Sequence, residues 1–245
     1  MITSCYAAGI PSPLSISPNV PVPASVSGGI IVDRYHERIY GVGANAFKDN
    51  ANVVYISLPQ LVRSIGTNAF RNCTSLVNFP ALSNEWTGSN VLSSIGSGAF
   101  YNCPSLTGEV NAPYVTSIGA NTFGAHKITR FDLPSIVSIG YQSLGINTTA
   151  TVSSSKWYVH IGPNVATRGL GYNSNGDSQL CLNPNALSNY LELTIDATSV
   201  PAVTSGTFYG INFTGIKVPA ACVDAYRTAW AGMVGGNANV LIQAQ

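Results

Sequence analysis

The hydrophobic and polar positions of this chain fall into one recurring phrase. Ile65-Gly66-Thr67-Asn68-Ala69-Phe70-Arg71-Asn72-Cys73-Thr74-Ser75-Leu76 returns almost unchanged as Ile95-Gly96-Ser97-Gly98-Ala99-Phe100-Tyr101-Asn102-Cys103-Pro104-Ser105-Leu106. An earlier copy begins at Val42, a later one at Ile118, and a worn one runs from Ile139 to Leu144. The glycines of the five copies stand at 43, 66, 96, 119 and 140, in steps of 23, 30, 23 and 21 residues, and the long step carries an insertion over 83–90. A period near 23 marks stacked coils, each too small to bury its own apolar face.

Short apolar runs separate the phrases and end in Leu-Pro, as in Val53–Pro59 and Ile128–Pro134. They lack a helical period, so they predict strands, and the closing proline has no N–H with which to continue a ladder. In the first run Val53, Ile56 and Leu58 are expected to point inward, with Tyr55 and Ser57 outward. The Ile-Gly glycine is expected to turn the backbone with positive φ. The aromatic ring of each Ala-Phe pair should plug the space between coils, which predicts a buried ladder of Phe47, Phe70, Phe100 and Phe123 ending in Leu144. Beyond 146 the pattern loosens. Strands are expected at Trp157–Ile161 and Leu191–Ile195, a turn at Asn173–Asp177, and a decayed plug at Thr207–Ile211.

The phrase I-G-x-x-A-F-x-x-C-x-x-L followed by x-x-I-x-L-P resembles the BspA-like class of leucine-rich repeats, strongly over residues 39–146 and faintly in the tail. The resemblance implies a leucine-rich-repeat solenoid, mainly parallel β with short helical or irregular segments, closed by a last strand at Ile216–Pro219 and a C-terminal helical lid over 223–230. It also implies that Cys73 and Cys103 are small, buried and reduced. It says little of function, because such repeats scaffold many partners.

Three compositional blocks follow. Residues 1–29 hold Pro11, Pro13, Pro18, Pro21 and Pro23 among Ser, Val and Ile without any charge, and are expected to form an extended attachment arm lying along another subunit. Residues 30–230 form the solenoid, with a solvated first cap at 30–40. Residues 231–245, rich in Gly and Asn, read as an extended tail. Charged residues make up 9% of the chain and its net charge is +1, too sparse for a nucleic-acid footprint. No run approaches the roughly 18 apolar residues that span a bilayer. No signal peptide is evident at Met1–Cys5, because a basic start is lacking and Pro11 and Pro13 break any apolar region. Either a leader was removed or the protein reaches its site without one.

Motif-like fragments dissolve in context. Gly41–Ala46 fits a dinucleotide fingerprint but recurs as repeat anchors without a βαβ unit. Ser153–Lys156 lacks the companion motifs of a penicillin-binding nucleophile, and Asn173, Asn175 and Asp177 lack the closing acid of a calcium loop. His36, His126 and His160 have no carboxylate or Cys at useful spacing, and His126 stands where other copies carry Cys73 and Cys103. No catalytic, metal or cofactor site is expected.

Recognition is therefore assigned to the outward sheet positions Tyr55, Ser57, Asn78, Glu109, Asn111, Arg130 and Asp132, since Tyr supplies contact area at low entropic cost. The chain reads as a non-enzymatic binding or structural protein. The expected setting is a bacteriophage virion surface, as a fibre, decoration or host-adsorption component. It would be held to other subunits by residues 1–29 in an oligomer or assembly, and would meet a host glycan or protein receptor. A bacterial cell-surface adhesin is the alternative. A carbohydrate-active enzyme, with Trp86, Tyr101 and Trp157 as sugar platforms, would need two carboxylates facing each other at about 5–10 Å.

Overall fold

The computed structural model describes residues 41–56, 58, 62–79, 91–145, 156–172, 175, 179–180, 190–209, 211–234 and 238–245. The arm, the first cap, the insertion, Ser57, Trp86 and most of the expected turn at 173–177 lie outside the described residues. Among those described, the strands form two six-stranded parallel sheets, and from Ser94 to Ile195 the chain alternates between them. The short sheet orders β1 (Gly41–Val42), β2 (Ser64–Ile65), β3 (Ser94–Ile95), β5 (Ser117–Ile118), β7 (Ser138–Gly140) and β9 (Leu170–Tyr172). The long sheet orders β4 (Thr107–Asn111), β6 (Lys127–Leu133), β8 (Lys156–Ile161), β10 (Tyr190–Ile195), β11 (Asn212–Val218) and β12 (Ile242–Ala244).

Coil spacing explains the Ile-Gly pair. Ile65, Ile95, Ile118 and Ile139 are buried, and each following glycine lies against the coil before it. A Cβ on Gly66 would sit 2.5 Å from the Ala44 nitrogen, and one on Gly119 would sit 2.3 Å from the Ser97 nitrogen. These glycines do not have positive φ, contrary to expectation. The left-handed positions come two residues later, at Asn45, Asn68, Gly98, Asn121 and Gln142, and again at Asp49, Asn72 and Asn102. Asn tolerates this region better than other side chains. The turn then hydrogen-bonds to the next coil: Asn45 N–H donates to Thr67 O, Asn68 N–H to Ser97 O, and Asn121 N–H to Tyr141 O, each at 2.9 Å.

The plugs stack inside these turns. Phe47, Phe70, Phe100 and Phe123 are buried, with ring centroids 5.2, 5.3 and 5.4 Å apart in succession, and Leu144 is buried as well. Phe123 also meets Phe131 of the long sheet at 5.2 Å, so both sheets close on one apolar core. Cys73 and Cys103 are free and buried. Each thiol donates to the carbonyl of the preceding plug, Phe47 or Phe70, at 3.1 Å. His126 takes the same place fully buried, and its Nδ1 accepts the Ile128 N–H at 2.9 Å. Burial pushes its pKa down to about 3, against the raising effect of the Gly145 backbone. The plug series continues less legibly. Leu144 N–H donates to Leu180 O, and Leu180 N–H to Thr207 O; Phe208 then packs on Phe213 and Trp230.

Both ends of the long sheet differ from expectation. At 53–58 the burial falls as read, with Val53, Ile56 and Leu58 buried and Tyr55 exposed, but no regular strand forms among the described residues of this run. Instead the Asn78 amide takes the place of a strand partner: its Oδ1 accepts the Ile56 N–H and its Nδ2 donates to Ile56 O. At the far end, a 3₁₀ turn (Ala220–Cys222) leads into α1 (Val223–Ala229). Tyr226 and the adjoining Trp230 are buried, donating to Ala197 O and Pro201 O. The extended tail expected over 231–245 is corrected by a short α2 (Ala238–Leu241) and by β12, which pairs with β11 through Ile216–Ile242 and Val218–Ala244. An open sheet edge offers backbone partners that a Gly- and Asn-rich segment can take.

Candidate binding surface

The outer face of the long sheet gathers charge in a chain that has little. Glu109, Lys127, Arg130, Asp132, Glu192, Asp196 and Lys217 lie on it or at its rim, seven of the 21 Asp, Glu, Lys and Arg residues in the chain. The parallel register sorts the outward side chains into two rows. One reads Glu109, Arg130, Tyr158, Glu192, Gly215, and the other Asn111, Asp132, His160, Thr194, Lys217, Gln243. Two register shifts flank the middle strands and leave Thr129 of β6 and Thr214 of β11 as extra residues. The Thr129 hydroxyl donates to Gly108 O and the Thr214 hydroxyl to Leu191 O, both at 3.3 Å. Such bulges re-aim neighbouring side chains and are enriched beside functional sites.

Part of this charge is satisfied internally. Lys217 Nζ meets Glu192 Oε1 at 2.6 Å. His160 bridges two carboxylates, Nδ1 to Asp132 Oδ1 at 2.6 Å and Nε2 to Asp196 Oδ2 at 2.8 Å. Gln245 Nε2 donates to Asp196 Oδ1 at 3.0 Å. Burial opposes the charge on the imidazole, but the hydrogen bonds and charges of Asp196 and Asp132 outweigh it and raise the His160 pKa. This corrects the expectation that the histidines lack partners. It does not create an acid–base centre, because both ring nitrogens are occupied by carboxylates and neither is left to reach a substrate.

The proposed contact residues divide accordingly. Glu109, Asn111 and Arg130 are exposed and adjacent on β4 and β6. Asp132 is engaged by His160, and the Asn78 amide is engaged by the first coil. Tyr55 is 48% exposed but belongs to that first coil. Of the suggested sugar platforms, Trp157 is buried. Tyr101 is covered by Arg71 at 4.5 Å and packs on Gly124. Tyr158, which the sequence reading did not single out, is 38% exposed in the middle of the face. Its signal was its place in Trp157-Tyr158-Val159-His160-Ile161, where period-2 alternation turns residues 158 and 160 outward together.

No curated protein matches the chain. Among solved structures, a leucine rich cell surface protein from Faecalibacterium prausnitzii A2-165 aligns at 17% identity and a TM-score of 0.27, over 75% of this chain. The aligned part spans 59% of that protein's chain. A family model described as BspA type leucine rich repeat region matches residues 40–153 in six copies. Residues 40–153 thus carry the repeat that this family model describes.

Proposed function

We propose that this chain is a non-enzymatic recognition protein that presents the outer face of its long sheet to a target on another surface. The supporting observation is the concentration of charge on that face, where Glu109, Asn111, Lys127, Arg130 and Tyr158 remain exposed on three adjacent strands. The face is parallel-stranded, and the one histidine on it is closed off by carboxylates, which suits binding rather than turnover.

Residues 1–29 are proposed to hold the chain to other subunits of a virion, with the surface of a bacterial cell as the alternative setting. Five prolines and no charges lower the entropy of the free arm and favour extended docking. The test is binding of labelled full-length chain to intact bacterial cells. Arg130→Glu should weaken binding strongly, and Ser138→Thr on the short sheet should leave it unchanged. Equal effects of the two would remove the long sheet as the recognition face. Deleting 1–29 should leave a folded solenoid with an unchanged Tm that no longer joins its oligomer or particle. If deletion unfolds the repeats, the arm is a cap on its own chain.

A further inference from the structure

We propose that the long-sheet face binds a neutral glycan, with the Tyr158 ring as its stacking platform and the step over Gly215 as the seat of an adjoining sugar. This rests on the long sheet being the recognition face and names its ligand class. Tyr158 stands between Arg130 and Glu192 in one outward row, with neighbouring strands about 4.8 Å apart. A pyranose offers an apolar C–H face to an aromatic ring and a rim of hydroxyls that both donate and accept. A guanidinium on one side and a carboxylate on the other match that rim. Glu192 is held in place by Lys217 at 2.6 Å, so the acceptor is positioned before a ligand arrives.

Gly215 continues the row past Glu192. Neither packing nor backbone demands glycine there. A Cβ at 215 would meet nothing within 4 Å, and its φ is not in the left-handed range. The missing side chain lowers the face next to Glu192, beside the bulge at Thr214, and leaves room for a ring.

Other ligand chemistries fit less well. Glu109, Asp132, Glu192 and Asp196 oppose Lys127, Arg130 and Lys217, so an acidic sugar or phosphate meets no net attraction. A protein partner needs a cluster of large apolar anchors. Among the described residues, the exposed large hydrophobics are Tyr55, Val137, Tyr158, Tyr209 and Val240, and of these Tyr158 alone lies on a strand of the long sheet.

The test uses the full chain on an array of neutral oligosaccharides built on glucose, galactose, mannose and N-acetylglucosamine, with sialylated and sulfated glycans as the acidic arm. Free-oligosaccharide titration then follows the strongest signal. Neutral glycans should bind, and Tyr158→Ser and Gly215→Val should each weaken binding at least ten-fold. The unfolding midpoint of Gly215→Val should remain that of the wild type. Binding confined to acidic glycans, no binding across the array, or neutral binding that survives both substitutions would each overturn the inference. If cell binding remains sensitive to Arg130→Glu in those cases, the recognition face stands and its ligand is of another class.

Discussion

The Nδ1 atom of His160 lies 2.6 Å from Oδ1 of Asp132, joining β8 to β6 across 28 positions of sequence. Asp196 holds the opposite ring nitrogen, and together the two carboxylates raise the histidine pKa in spite of burial. A folded-state pKa above the unfolded value of 6.5 means that the contribution is complete below pH 6.5 and is lost as pH rises through the folded value. His160→Asn should therefore cost most stability near pH 5.5, and the gap to wild type should narrow toward pH 9. Denaturant midpoints across that range measure it. A gap that does not change with pH would mean that the bridge carries no charge.

His126 should act in the opposite direction. Its folded pKa, near 3, lies below the unfolded value, so stability falls as pH drops below 6.5, by about 1.4 kcal/mol per unit. His126→Cys installs the residue that two other copies carry at this place, and it should abolish this slope whatever its effect at neutral pH. NMR of the imidazole should show no titration between pH 5 and 8.

Phe100 touches Phe70, Phe79 and Phe123, with centroids 5.3 to 5.4 Å away. Phe100→Ala should lower the unfolding free energy by about 3–5 kcal/mol through lost burial and a cavity. Phe100→Leu, which adopts the residue that the worn copy has at 144, should cost about 1.5 kcal/mol or less. Equilibrium denaturation separates the two. Similar small losses would show that the ladder tolerates voids.

The two special backbone positions of the phrase should respond oppositely to substitution. Gly119→Ala forces a Cβ to within 2.3 Å of the Ser97 nitrogen and should destabilise by about 3 kcal/mol, because the coils must spread. Asn121, at φ 55°, should accept Gly within about 0.5 kcal/mol, whereas Asn121→Val should cost about 1–2 kcal/mol. Thermal melts of the three variants test both assignments at once.

The coil architecture was legible because every repeat states it again. Alternation and spacing are local, and copies of Ile-Gly and Ala-Phe at the same offset place the same atoms in successive coils. The inward positions of the 53–58 run and the strands at 157–161 and 191–195 follow from such local signals, and the closing helix from the family resemblance. The role of the glycine did not. The phrase carries both Gly and Asn, and only the distance between neighbouring coils shows that the glycine serves close approach while the Asn takes the left-handed turn.

The face was hidden for a different reason. Asp132, His160 and Asp196 are 28 and 36 positions apart, distances that no motif spans. Parallel register brings them side by side, and coil lengths that vary from repeat to repeat make that register invisible to spacing alone. The same holds for Tyr158 beside Arg130, and for the last residues, whose composition reads as a loop until β11 offers an unpaired edge. Sequence by itself determined the coil, since each coil's geometry is encoded within about 23 residues. Only the stacking of coils decided which side chains share a surface, because that depends on register between segments that have no local contact.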